Sequence, residues 1–309
     1  MKILAIGDFH GTFSDKDFNK LKKLDFDLIL SIGDFCGNER LAKIIFKYYY
    51  GKSKKEVRSI PKKIKEEEKR LDKKAVFDGI KVLRKIRNFG KPFYFIHGNW
   101  DPMLWEWDIG SEEDRDKNRF LKLFHHGMNE KFEFLDFKIK DFGSFVLVGG
   151  TSSTHPGKID KETLKKSFDK HARKDIKEAR KILALKKKHY NRRKRKYETI
   201  FKKAKKLNKP IIFLTHNAPY GTKLDKITSK KAPKEARGKH YGSYLDRLMI
   251  NRFKPNLVIC GHMHENFGRQ RLGKTLIANV GSFHDKQFVL IDFPETKKGK
   301  IKTKFVKLQ

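Results

Sequence analysis

The sequence predicts an α/β protein with mixed sheets, and three observations predict it. First, apolar, β-branched or aromatic runs end five times in Gly or in a polar cluster rich in Asp, His or Asn. These are "ILAIGDFHG" (3–11), "LILSIGDFCG" (28–37), "FYFIHGNWD" (93–101), "IIFLTHNAPYG" (211–221) and "LVICGHMHE" (257–265). Short, continuous apolar runs of this kind suit strands covered on both faces. Second, helix-like segments lie between several of them, for example 76–89 and 240–253. Third, the later runs at 141–150, 274–282, 288–293 and 300–308 read as further, largely antiparallel strands, which suggests a second sheet. In such a fold ligands collect beyond the carboxyl ends of the strands. The last run, "KIKTKFVKL", pairs either with a neighbouring molecule or with its own sheet.

Composition narrows the class. The chain has 309 residues, 38% of them hydrophobic, enough to bury a core. No run approaches the ~20 apolar residues that a membrane span requires. "MKILAIGD" enters a strand-like run with no cleavage-site pattern, and Cys36 and Cys260 suggest no disulfide framework. A reducing, cytoplasmic setting is therefore expected. Lys and Arg number 74 against 37 Asp and Glu, a formal charge of +37. That excess favours polyanions such as nucleic acid, but Lys-rich composition also arises from an AT-rich genome or a heat-loving source, and the two explanations weigh equally.

The five run ends supply Asp8, His10, Asp34, Asn99, His216, His262 and His264. Carboxylate, imidazole and amide oxygen together suit borderline divalent ions, Mn first, with Fe, Zn or Ni as alternatives. Seven ligands exceed one tetrahedral ion and suit two ions sharing a carboxylate. "DFH" and "GHMH" each place two ligands at i and i+2, which project to one side of an extended strand end. Any one of these pieces alone is weak, since a Gly-Asp after a strand is usually a turn. All five in this order are not.

The series D-x-H, G-D, G-N-x-D, H-N-A-P, G-H-x-H, running from Asp8 toward Ser282, closely resembles the calcineurin-like metallophosphoesterase family. The resemblance implies a four-layer αββα sandwich of two mixed sheets, α/β in class, with a two-metal site at one edge. It assigns Asp8, His10 and His264 to one ion, Asn99, His216 and His262 to the other, and Asp34 to both. It implies phosphoester hydrolysis by metal-activated hydroxide, with a phosphodiester as the expected substrate: a nucleotide, a cyclic nucleotide or a nucleic acid. Two ions ~3.5–4 Å apart can clamp a phosphoryl group and generate the attacking hydroxide. Asn99, Asp101 and His10 are the expected catalytic residues, Asn99 donating its amide N–H to a phosphate oxygen.

One residue departs from the family. Members commonly read G-N-H-D or G-N-H-E where this chain reads "GNWD", so Trp100 replaces the His assigned to the departing oxygen. Loss of a general acid removes roughly 10²–10⁴-fold of rate. Three routes keep an enzyme: a good leaving group, proton delivery by His10, His97 or His240, or delivery by water. The alternative is a metal-binding scaffold without chemistry. Trp100 itself reads either as a packing residue or as a stacking surface for a base. Asn217 and His240 are further candidate substrate contacts. In "GKHYGSYLDRLM" (238–249), Gly242 or Ser243 opens a helix whose N–H groups face an anion, or simply caps it.

The expected organisation is one domain over 1–309 with two insertions, a charged one at 48–75 and a long basic one at 158–208. The second contains neither Gly nor Pro. Leu164, Phe168, Ala172, Ile176, Ala179 and Leu183 recur at helical spacing, so its first half is an amphipathic helix. One helix over its whole span would be about 75 Å long, which predicts a break or a hairpin. "KKKHYNRRKRKYE" (186–198) is either a nucleic-acid clamp, which would make the protein a nuclease, or a solvated helix face.

Overall fold

In a computed structural model of the protein, the described residues are 1–49, 52, 54–102, 122, 125–129, 131–151, 176–230, 232, 234–294 and 299–309. They form two compact units, each with its own six-stranded mixed sheet and covering helices. Unit 1 comprises Met1–Phe134, Val280–Pro294 and Lys300–Gln309, and unit 2 comprises Leu135–Asn279 and Glu295–Gly299.

The sheet of unit 1 runs in the order β12-β11-β1-β2-β3-β4. Strands β1 (Lys2–Ile6), β2 (Leu28–Ser31), β3 (Phe93–Phe95) and β4 (Phe132–Phe134) are parallel, and helices join β1 to β2 and β2 to β3, as a parallel sheet requires. Strands β11 (Gln287–Asp292) and β12 (Lys302–Lys307) complete it antiparallel. The terminal run therefore pairs within its own sheet. Helix α1 (Asp15–Lys22) begins with a Ser14/Asp17 capping box. It is followed by α2 (Glu39–Tyr48), α3 (Lys54–Arg58) and α4 (Lys62–Arg87). Val76, Ile80, Leu83 and Ile86 of α4 pack on Phe35, Phe93 and Phe95 of the sheet side.

Helix α4 starts fourteen residues before the predicted 76–89, inside the expected charged insertion. Ionic neighbours at helical spacing, Lys62–Glu66 and Lys74–Asp78, accompany an apolar stripe through Leu71 and Ala75, so charge there does not interrupt the helix.

The sheet of unit 2 runs β5-β6-β7-β8-β10-β9. Its strands are β5 (Ile139–Asp141), β6 (Val146–Gly149), β7 (Ile211–Asn217), β8 (Leu257–Gly261), β9 (Gly268–Leu272) and β10 (Thr275–Asn279). The expectation of largely antiparallel later strands holds for β11 and β12 but needs correcting for the runs at 141–150 and 274–282. β6 and β10 lie parallel to their inner neighbours β7 and β8, and only β5 and β9 run against them. The β9–β10 hairpin was missed because polar, alternating "GRQRL" lacks the apolar run of the inner strands.

Helix α5 (Ile176–Lys206) is one continuous 31-residue helix, with no break in the part that is described. Residues 158–175, with Leu164, Phe168 and Ala172, lie outside the described residues. Tyr197, Ile200, Phe201 and Ala204 seat its second half on Val146, Val148 and Phe213. Helix α6 (Tyr244–Phe253) is capped by Ser243, whose Oγ accepts the Asp246 N–H, and ends at left-handed Lys254 before Pro255. No helix of the described residues is long and apolar enough to cross a membrane. Cys36 and Cys260 are buried free thiols.

Candidate functional site

In unit 1 the loops after β1, β2 and β3 are laced together by main chain. The N–H groups of Phe9 and His10 both donate to Asp34 C=O, at 2.8 and 3.0 Å, and Asp8 N–H donates to Gly33 C=O at 2.9 Å. This closeness explains two glycines of the motifs. A Cβ on Gly33 would lie 2.1 Å from Gly98 N, and one on Gly98 would lie 2.0 Å from Asp34 Oδ1. The "GD" and "GN" signatures therefore mark backbone contact between loops.

The result is a buried pair of carboxylates, Asp8 and Asp34, with His10 beside them. His10 Nε2 lies 4.0 Å from Asp8 Oδ1. Burial raises the Asp34 carboxyl well above its ordinary range, and the neighbouring Asp8 and Asp101 carboxylates add to the rise. Such a pair is costly by itself and is the setting that a cation stabilises. Backbone strain accompanies it. Of eight described non-glycine residues with left-handed φ, four are Asp8, His10, Asp34 and His262, all expected ligands. Strain of about 1–3 kcal/mol per residue is characteristic of functional sites.

Asp101, expected to be catalytic, lies beneath this loop cluster. Its carboxylate accepts the N–H groups of Asp34 (2.8 Å), Cys36 (3.0 Å) and Gly98 (2.9 Å). Its contacts fix where the β2 and β3 loops sit. Asn99 follows Gly98 on the same loop and is half-buried. Trp100 donates its backbone N–H to Asp34 Oδ1 at 2.7 Å. Its ring is half-buried and packs against two clusters, one around Phe35 and one of Leu41, Ile44, Leu71 and Ala75. It meets His10 edge-on, with ring centroids 6.4 Å apart. His97 is buried, with Nε2 3.0 Å from His125 Nε2.

In unit 2, β7 ends in buried Thr215, His216 and Asn217, next to a shift in its register with β8. Irregularities of this kind re-aim side chains beside sites. His216 Nε2 lies 3.2 Å from Nδ1 of His262, which follows β8. Thr215 Oγ donates to Asp246 at 2.8 Å, tying the strand to α6. Burial pushes the Asp246 carboxyl up to about 6 against the hydrogen bonds it accepts. Asn279 Nδ2 donates to Met263 C=O, fixing the main chain between His262 and His264. His264 opens a short 3-10 turn whose Asn266 donates to the C=O groups of Leu224 and Lys226. This turn is thereby joined to the loop carrying Asp225.

Asp225 had no motif to announce it beyond a local Thr222 capping box. It is buried and accepts N–H groups from Gly221, Thr222 and Gly242. His240 Nδ1 lies 2.8 Å from its Oδ1, with the His240 side chain 34% exposed. In unit 1, Ser282 was likewise missed. Its Oγ donates to Asp8 C=O at 2.8 Å and holds that left-handed residue.

The carboxylates of unit 1 and the imidazoles of unit 2 are each donor types that divalent cations take. Two solved structures share the fold. One is 18% identical, with 98% of each chain covered and a TM-score of 0.59. The other, a dimetal phosphatase from Danio rerio, is 8% identical, with 99% of this chain and 95% of that one covered and a TM-score of 0.50. The curated proteins contain no match. The family model for calcineurin-like phosphoesterases matches residues 1–266, most of the chain. The chain belongs to the calcineurin-like phosphoesterase family, which makes it a metal-dependent phosphoesterase with a dinuclear divalent centre.

Proposed function

We propose that the protein hydrolyses a phosphodiester with two divalent ions, Mn being the first candidate. The observation that carries this reading is the buried Asp8–Asp34 pair, held by three interlocked loops in left-handed backbone. Asp8, His10 and His264 would hold one ion, Asn99, His216 and His262 the other, and Asp34 both. When bound, the ions supply charge neutralisation and an acidified water. The chain's own residues position and discharge the substrate. Asn99 offers its amide N–H to a phosphate oxygen, and Asn217 and Trp100 flank the strand ends as candidate substrate contacts.

A diester is favoured because Trp100 takes the place of the usual leaving-group acid, and its packing in two clusters supports a wall rather than a proton source. Of the three histidines considered for proton delivery, His240 fits best. His97 is buried against His125, and His10 is a ligand candidate. His240 is exposed and its Nδ1 is held by buried Asp225, leaving Nε2 to donate.

Hydrolysis of a chromogenic phosphodiester with and without Mn²⁺, with Asn99→Ala as the blank, tests the reading. Metal-dependent turnover that the substitution abolishes is expected. A metal-loaded protein that turns over no faster than the blank would favour a binding scaffold. His240→Gln should slow a diester with an alkoxide leaving group by about tenfold or more and barely affect a nitrophenolate one. Equal losses on both would remove His240 as the donor.

A further inference from the structure

Helices α4 and α5 provide an internal control for the chain's basic composition. Both are long and surface-bearing, and both come from the same Lys-rich sequence. Helix α4 carries eleven Lys and Arg against five Asp and Glu, close to the ratio of the whole chain. Helix α5 carries fifteen against two, Glu178 and Glu198. A bias of the genome acts on both helices alike, so it does not account for the difference.

The exposed Lys and Arg of α5 cover the whole face away from the core, and five of them run along its middle. Tyr197, Ile200, Phe201 and Ala204 face the core of unit 2. Lys177, Lys188, Arg195, Lys202 and Lys206 are all exposed. At 3.6 residues per turn they fall within about 40° of one another, on the face opposite the core. The stripe is about 44 Å long, matching about 13 base pairs of duplex. The two tyrosines of the segment are committed elsewhere. Tyr197 is buried, with its Oη accepting the Thr151 N–H, and Tyr190 packs on the same core. Tyr197 is thus closed to base stacking and Tyr190 largely committed to packing, so this face offers charge for a phosphate backbone rather than a stacking platform. In the second half of α5 the apolar face that an interfacial helix would bury in lipid is likewise used internally.

We propose that the exposed face of α5 binds the phosphate backbone of a nucleic-acid duplex, without reading its sequence. Contacts of this kind release counterions, so affinity falls steeply with salt.

The experiment measures fluorescence anisotropy of labelled DNA and RNA duplexes of about 30 base pairs with the metal-loaded protein, a gel after each titration showing the duplex uncut. The full chain is compared with Lys188→Glu/Arg195→Glu/Lys202→Glu and with Lys63→Glu/Lys69→Glu/Lys73→Glu, an equal charge change on exposed α4 positions. Circular dichroism checks that both variants keep their helices. The α5 variant should lose at least about tenfold in affinity, and its log–log salt slope should fall by about three, one per contact. The α4 variant should stay within about threefold of the parent. Binding by DNA, RNA or both supports the proposal and identifies the source of the backbone. Equal losses in the two variants would reduce the effect to net charge and overturn it. So would binding only to single strands or to anionic vesicles, or no duplex binding by the parent chain.

Discussion

The two sets of candidate ligands are built by different means. In unit 1, Asp8, His10, Asp34 and Asn99 sit on loops that touch main chain to main chain, with Gly33 and Gly98 where any side chain would collide, and Asp101 and Ser282 add side-chain ties to that contact. In unit 2, His216, His262 and His264 are placed by side-chain ties: Thr215 to Asp246, Asn279 to Met263, and Asn266 to the Asp225 loop. Unit 2 uses the close-glycine device as well, at Gly149, whose Cβ would meet Leu135 C=O at 2.0 Å, and at Gly242, whose Cβ would meet Ala218 C=O at 2.5 Å, neither of which adjoins His216, His262 or His264 in sequence. A main-chain lock has no partial setting, whereas a network of hydrogen bonds weakens one bond at a time. Substitutions in unit 1 should therefore act abruptly and those in unit 2 gradually.

The sharpest test is Gly98→Ala. The added methyl meets Asp34 Oδ1 at 2.0 Å and Asp34 N at 2.4 Å, so the β2 and β3 loops must separate. A destabilisation of about 3 kcal/mol or more is expected, together with loss of bound divalent ion. Thermal unfolding and metal content by mass spectrometry would check it, and a variant with normal content would break the comparison. Next is Asp101→Asn. Its carboxylate serves three N–H donors, and an amide NH₂ at Oδ1 or Oδ2 would face one of them. A loss of about 1–3 kcal/mol is expected. A positioning role predicts weaker metal binding that excess Mn²⁺ partly rescues, whereas rate loss at saturating metal would indicate direct chemistry.

Unit 2 supplies the graded side of the comparison. The folded-state carboxyl of Asp246 titrates near 6, above its unfolded value. Its contribution is therefore full below about pH 4 and is lost as pH rises through about 6, leaving a penalty of about 3 kcal/mol at neutrality. Asp246→Asn removes that dependence, so the Tm difference, variant minus parent, should become more positive between pH 4 and 7. A flat difference would mean that Thr215, Ser243 and their neighbours offset burial entirely. The smallest effect is expected for Ser243→Ala, which loses the α6 cap at a cost of about 1 kcal/mol, read as a small Tm shift with turnover unchanged in order of magnitude.

Much of this was legible in the chain itself. Inner strands such as "LILS" and "LVICG" are continuous apolar runs whose burial requires nothing but a sheet, and they end where the motif residues begin. The order of those motifs also identified the family, because each candidate ligand stands at or within a few residues of its strand's end. Edge strands were harder to read, since β9 and β4 draw their pairing from a neighbour rather than from their own composition. Helix α4 was cut short for a related reason: charges that pair along a helix resemble a solvated loop when spacing is ignored.

By itself, then, the sequence determined which residues carry carboxylate, imidazole and amide chemistry, and that they stand at strand ends. Those are local properties of residue type and hydrophobic period. Only the tertiary structure decided what the neighbours of those residues do. It turned Asp101 toward three backbone N–H groups, wedged Trp100 between two clusters, paired His97 with His125, and set Asp225 under His240. Each of these depends on contacts between residues far apart in sequence, such as the 67 positions separating Asp34 from Asp101. Such contacts arise from packing, which no local pattern encodes.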